Sequence, residues 1–68
     1  MELTLGEKIR KLREEMSLTQ AMLGKKLNMT QRKISYIEQD KYEPSIDDIR
    51  AICLFFHISA DFLLDLPE

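Results

Sequence analysis

Apolar residues recur along this chain at helical spacing. Leu5, Ile9, Leu12 and Met16 follow one another at intervals of four, three and four, one face of an amphipathic helix. Thr4 and Glu7 supply the T-x-x-E capping box that starts it. A second, shorter helix fits Gln20 to Leu27, capped by Thr19 and burying Met22, Leu23 and Leu27. A third fits Gln31 to about Gln39, capped by Thr30 and burying Ile34 and Ile37. Lys41-Tyr42-Glu43-Pro44 breaks the pattern, because the residue before proline is pushed out of the helical region. Ser45 with Asp48 then starts a fourth helix whose face is Ile46, Ile49, Ile52 with Cys53, and Phe56. Ser59 with Asp61 starts a fifth, carrying Phe62, Leu63 and Leu66 until Pro67.

The pattern predicts an all-α fold of five short helices, one domain over residues 1–68, without linker, repeat or low-complexity stretch. Only Asn28-Met29-Thr30 separates the second helix from the third, a helix-turn-helix connection spanning about 20–39. Asn28, Asp40 and His57 sit where three of the helices end. These are the residue types that, glycine apart, best tolerate the left-handed turn common at helix C-termini.

Size and composition narrow the function classes. A chain of 68 residues buries only about 60% of the surface its unfolded form exposes, so help from oligomerisation or a larger assembly is expected. Hydrophobic content of 44% beside 32% charged residues describes a globular domain. No apolar run approaches the roughly 18 residues of a spanning helix, and Met1-Glu2-Leu3 opens no signal peptide. The expected compartment is the cytoplasm. Cys53 and His57 are the only cysteine and histidine, too few for a Cys/His metal site. Their i, i+4 spacing would allow a nucleophile pair, but Cys53 falls on an apolar face, where a thiol is inert packing. Phosphate-cradling and nucleophile-elbow motifs are lacking. No enzymatic activity, cofactor or metal is expected.

The net charge of −2 hides an asymmetry. Residues 1–41 carry nine Lys/Arg against six Asp/Glu, whereas residues 42–68 carry one against six. The first part can face an anion and the second cannot. The first, fourth and fifth helices carry an acid in their first turn (Glu7; Asp47 and Asp48; Asp61), which suits the helix dipole. The second and third open instead with Gln20-Ala21-Met22 and Gln31-Arg32-Lys33, leaving their positive ends for an outside anion such as phosphate.

Because Ile34 and Ile37 fix the buried side of the third helix, Gln31, Arg32, Ser35, Tyr36 and Gln39 fall on the opposite face. An amide, a guanidinium, a hydroxyl and a phenol together match the chemistry that reads base edges in a DNA major groove: Gln pairs with adenine, Arg with guanine. Glu38 falls on or beside the buried side and needs a partner there. Arg13, flanking the apolar stripe of the first helix, would supply a structural ion pair. A loose surface pair with Lys41 is the other arrangement.

The stretches "LGEKIRKLREEMSLTQAMLGKKLNMTQRKISYIEQDKYEPSIDDIRAI" and "ISADFLL" resemble the Cro-like and lambda-repressor-like helix-turn-helix domain, the XRE group. Arg13, Leu18, Gln20, Leu23, Leu27, Ile34, Ser35, Glu38, Lys41, Pro44 and Leu63 keep that family's order and spacing. The resemblance implies a transcriptional regulator, a repressor in character, binding a pseudo-palindromic double-stranded DNA operator as a homodimer. It implies base contacts at Gln31, Arg32, Ser35 and Tyr36, and phosphate contacts at Thr19, Gln20, Lys33, Gln39, Lys41 and Tyr42. It also implies an Arg13–Glu38 pair and a dimer interface in the last helices, with Phe55, Phe62, Leu63 and Leu66 as candidates.

Gly24 stands where the family usually has alanine, at the crossing of the second and third helices, and Asn28, Asp40 and His57 replace common glycines. Asp40 is expected to place a negative charge near the phosphate path. A second class of function uses the acidic, apolar fourth and fifth helices to bind another protein, an antirepressor or a toxin, making the chain an antitoxin or partner-controlled module.

Overall fold

The computed structural model describes residues 3–65 and contains, among them, five helices and no strand. They are α1 (Leu5–Glu15), α2 (Gln20–Leu27), α3 (Gln31–Glu38), α4 (Ile46–Phe56) and α5 (Ala60–Leu64). Each begins at a Ser or Thr whose hydroxyl accepts a backbone N–H of the first turn, and Thr4/Glu7 and Ser45/Asp48 form complete capping boxes. α3 stops one residue sooner than the pattern suggests, with Gln39 as its C-cap. Asn28, Asp40 and His57 all take positive φ, as do Ser17 and Asp65, which the sequence reading missed.

α2 and α3 pack on each other, α1 lies across α3, and α4 and α5 close the far side against α2 and α1. Ile9, Leu23, Leu27, Ile34, Ile37, Ile52 and Leu63 form the core, with one or two residues from every helix. Two glycines allow the backbones to approach. A Cβ on Gly6 would stand 2.5 Å from the carbonyl oxygens of Ile37 and Glu38, and one on Gly24 would stand 2.5 Å from that of Met29. Gly24 at the α2–α3 crossing thus lets the turn pass closer to α2 than an alanine there would, and the Met29 N–H donates to the Gly24 carbonyl at 2.7 Å.

Several apolar assignments need correction. Leu63 is 1% exposed and belongs to the core, so it has no surface to offer a dimer. Met16, Met22, Ile46 and Phe62, placed on buried faces by periodicity, are exposed. Met16 has left the helix as its C-cap, and Ile46 is the first residue of α4, where the stripe has not yet reached the core. In the short α5, Leu63 turns inward and Phe62 outward. Phe55 is half-buried, packed on the core and edge-on to Phe56 at 5.0 Å between ring centroids. Leu66 lies outside the described residues.

Candidate nucleic-acid interface

Thr30, in extended conformation, ends the turn after Asn28 and accepts the Lys33 N–H at 3.1 Å. That cap leaves the earlier amides of α3 unpaired within the helix and facing outward. Ile34, Ile37 and Glu38 are buried, so the helix cannot rotate about its axis without exposing them. The outer face consequently carries Gln31, Arg32 and Tyr36, all exposed, with Ser35 half-buried beside them. Gln39 Nε2 donates to Ser35 Oγ at 2.7 Å, tying the last two polar residues of the face together. Arg32 and Lys41 belong to none of the four ion pairs among the described residues and keep their charge for an outside partner.

The start of α2 is built in the same way as that of α3. Thr19 is exposed and caps it by accepting the Met22 N–H at 3.1 Å, with no acid in the first turn. Both helix starts leave backbone N–H groups without intrahelical partners at the positive ends of their dipoles, with no acid in either first turn.

Behind this surface lies a polar cluster. Arg13 Nε donates to Glu38 Oε2 at 2.6 Å and Nη2 to Oε1 at 3.0 Å, a bidentate pair between α1 and α3. Its side chains are 11% and 3% exposed, which places Glu38 with Arg13 and not with Lys41. Arg13 Nη1 also holds the Leu18 carbonyl at 2.7 Å, fixing the loop into α2. Gln20 Nε2 donates to Glu38 Oε1 at 3.1 Å. The hydrogen bond to Glu38 holds the Arg13 guanidinium more firmly charged than usual.

Two residues expected to contact phosphate, Gln20 and Lys33, and Asp40, expected to set a negative charge near them, have their side chains engaged elsewhere. The Gln20 amide is committed to Glu38, which leaves only its backbone N–H to meet an anion. Lys33 Nζ pairs with Asp48 Oδ1 of α4 at 3.0 Å and lies 5.4 Å from the centroid of the Tyr42 ring. Asp40 turns back onto α1, accepting Thr4 Oγ1 at 2.6 Å and the Gly6 N–H at 2.9 Å. It thus meets the positive end of α1 instead of opposing a phosphate. None of these long-range partnerships has a local sequence signal. The remaining chemistry is quiet: burial pushes the Cys53 thiol up, and no group of acidic, cysteine or histidine side chains among the described residues could hold a metal.

The profile of the family described as Helix-turn-helix matches residues 9–63, which contain the whole of the α2–turn–α3 unit. The chain belongs to the Cro-like and lambda-repressor-like helix-turn-helix family. It is 36% identical over 50 residues to the immunity repressor protein of Bacillus phage phi105, a match covering 74% of this chain. It is 27% identical over 66 residues to the HTH-type transcriptional regulator ImmR of Bacillus subtilis (strain 168), covering 97% of this chain. The chain spans 35% and 52% of the lengths of these two relatives. Among solved structures it is similar to the P22 c2 repressor in complex with a synthetic operator, with a TM-score of 0.86 and 32% identity. That match covers 93% of this chain and 96% of that one. No described helix is long and apolar enough to cross a membrane.

Proposed function

We propose that this helix-turn-helix domain is the sequence-specific DNA-binding part of a transcriptional regulator of repressor type, acting as a homodimer on a pseudo-palindromic operator. The observation that carries the reading is the outer face of α3: Gln31, Arg32 and Tyr36 are exposed on one side of a helix whose other side is locked by Ile34, Ile37 and Glu38. In this reading Gln31 and Arg32 contact base edges, with Ser35 and Tyr36 adding hydrogen bonds or thymine-methyl contact. Thr19, the backbone N–H of Gln20, Gln39, Lys41 and Tyr42 position the domain on phosphates. The operator named with the P22 c2 repressor supports DNA as the ligand.

The dimer is supported by the exposed apolar residues Leu54, Phe62 and Leu64 of α4 and α5, in the acidic part of the chain. Phe55 contributes only the part of its ring that the core leaves open. Selection of sites from a random pool of duplex DNA tests both halves together. Two inverted half-sites with centres about 34 Å apart are expected, the spacing of successive major grooves. Recovery of unrelated sequences, or of single half-sites alone, overturns the reading in the corresponding part.

A further inference from the structure

Lys33 is the third residue of α3, directly after the two residues assigned to base contact. α3 packs on α2 and α1, and α4 packs on α2. The ion pair between Lys33 and Asp48 spans the remaining gap from α3 to α4, 3.0 Å between Nζ and Oδ1, with the side chains 32% and 10% exposed. Asp48 is itself fixed. Its other oxygen accepts the Ser45 N–H at 3.1 Å and its own N–H donates to Ser45 Oγ at 3.1 Å, closing the capping box of α4. Tyr42, in the loop between the two helices, places its ring 5.4 Å from the same ammonium. One carboxylate therefore ties the first turn of α3 to the first turn of α4.

Resting on the DNA-binding reading above, we infer that Lys33 is a positioning residue for base readout and not a phosphate ligand: paired with Asp48, it fixes the turn of α3 that carries Gln31 and Arg32. An ammonium already shared with a nearly buried carboxylate offers a phosphate little net charge, and leaving the pair would strand the carboxylate. Burial pushes the Asp48 carboxyl up, but Lys33 and the Ser45 hydrogen bonds together outweigh it, so Asp48 stays ionised and the pair is intact at neutral pH. Base discrimination depends on sub-ångström placement of a planar side chain. A phosphate contact tolerates more play.

The two roles separate in the salt dependence of binding. Each phosphate contact contributes about −0.9 to the slope of log K against log salt on duplex DNA. Affinities of the wild type, Lys33→Met, Lys33→Arg and Asp48→Asn would be measured for the selected operator and for a scrambled duplex across a salt series, with circular dichroism confirming each fold. Lys33→Met and Asp48→Asn are expected to lower the ratio of operator to scrambled affinity by about tenfold, the discrimination carried by one base contact, with the salt slope unchanged. Lys33→Arg, which keeps the pair, is expected to restore the ratio.

A slope shallower by about one in Lys33→Met with the ratio kept, or steeper by about one in Asp48→Asn as the freed cation finds a phosphate, overturns the inference. Should Asp48→Asn not fold, the two Lys33 variants decide alone. A wild-type chain that prefers no duplex over the scrambled one overturns the DNA-binding reading itself, and this inference with it.

Discussion

Arg13 and Glu38, 25 residues apart in sequence, form a bidentate pair that is almost entirely buried between α1 and α3, and Gln20 of α2 donates to the same carboxylate. Three helices meet at one charged group. Because a buried carboxylate is costly unless paired, the arrangement is tolerated only in one geometry, and that geometry sets the direction of α3.

Removing one partner should therefore cost more than removing both. Glu38→Gln leaves the guanidinium buried without its counter-charge and is expected to destabilise the domain by about 3 kcal/mol, the lower end for a broken buried pair. An Arg13→Met, Glu38→Met double variant should recover a large part of that loss. Thermal melts decide between them, since about 1 kcal/mol moves the midpoint of a domain this small by about 4–8 °C. Equal losses in the single and double variants would contradict the account.

Asp40 supplies the N-terminal anchor of α1 through Thr4 and Gly6. Asp40→Ala loses both hydrogen bonds and places a less tolerant residue at φ 59°, so urea unfolding should show a loss of about 2 kcal/mol. Gly6→Ala should be at least as damaging despite its better helix propensity, because its Cβ meets two backbone carbonyls that cannot move independently. A stabilised Gly6→Ala variant would show the α1–α3 contact to be looser than described.

Base and phosphate contacts should part in their sequence dependence. Arg32→Ala is expected to cost about 1–3 kcal/mol on the preferred operator and to relax the preference at one base pair. Lys41→Ala should weaken all duplexes by similar factors and make the salt slope shallower by about one. Site selection repeated with each variant checks the assignment.

Acid should loosen the contact between α3 and α4. Burial raises the Asp48 carboxyl, but Lys33 and Ser45 outweigh it and hold the group below its ordinary value. A lowered folded pKa means stability that is present above the ordinary carboxylate value of about 3.9 and lost as pH falls through the folded value. Lys33 is shifted up, so its share is lost only in strong alkali. Melting temperatures below about pH 4 should fall less steeply in Asp48→Asn than in the wild type.

Leu63 and Leu64 are neighbours with opposite fates. Leu63→Ala is expected to cost about 2–5 kcal/mol as a core truncation. Leu64→Ser, together with Leu54→Ser, should leave monomer stability within about 1 kcal/mol and weaken self-association measured by sedimentation.

The helices and their starts were legible in the sequence because their causes are local. Caps at Thr4, Thr19, Thr30, Ser45 and Ser59 bond to amides three residues on, and Asn28, Asp40 and His57 take the positive φ that their residue types tolerate. The outer face of α3 followed from Ile34 and Ile37 by helical geometry alone. Periodicity does not say where a stripe stops, and so Met16 and Ile46, at helix ends, were placed in a core they do not reach. Only the tertiary structure decided what long polar side chains do. Arg13, Gln20, Lys33 and Asp40 each reach a partner on another helix, and which partner is met depends on helix packing that no local spacing encodes.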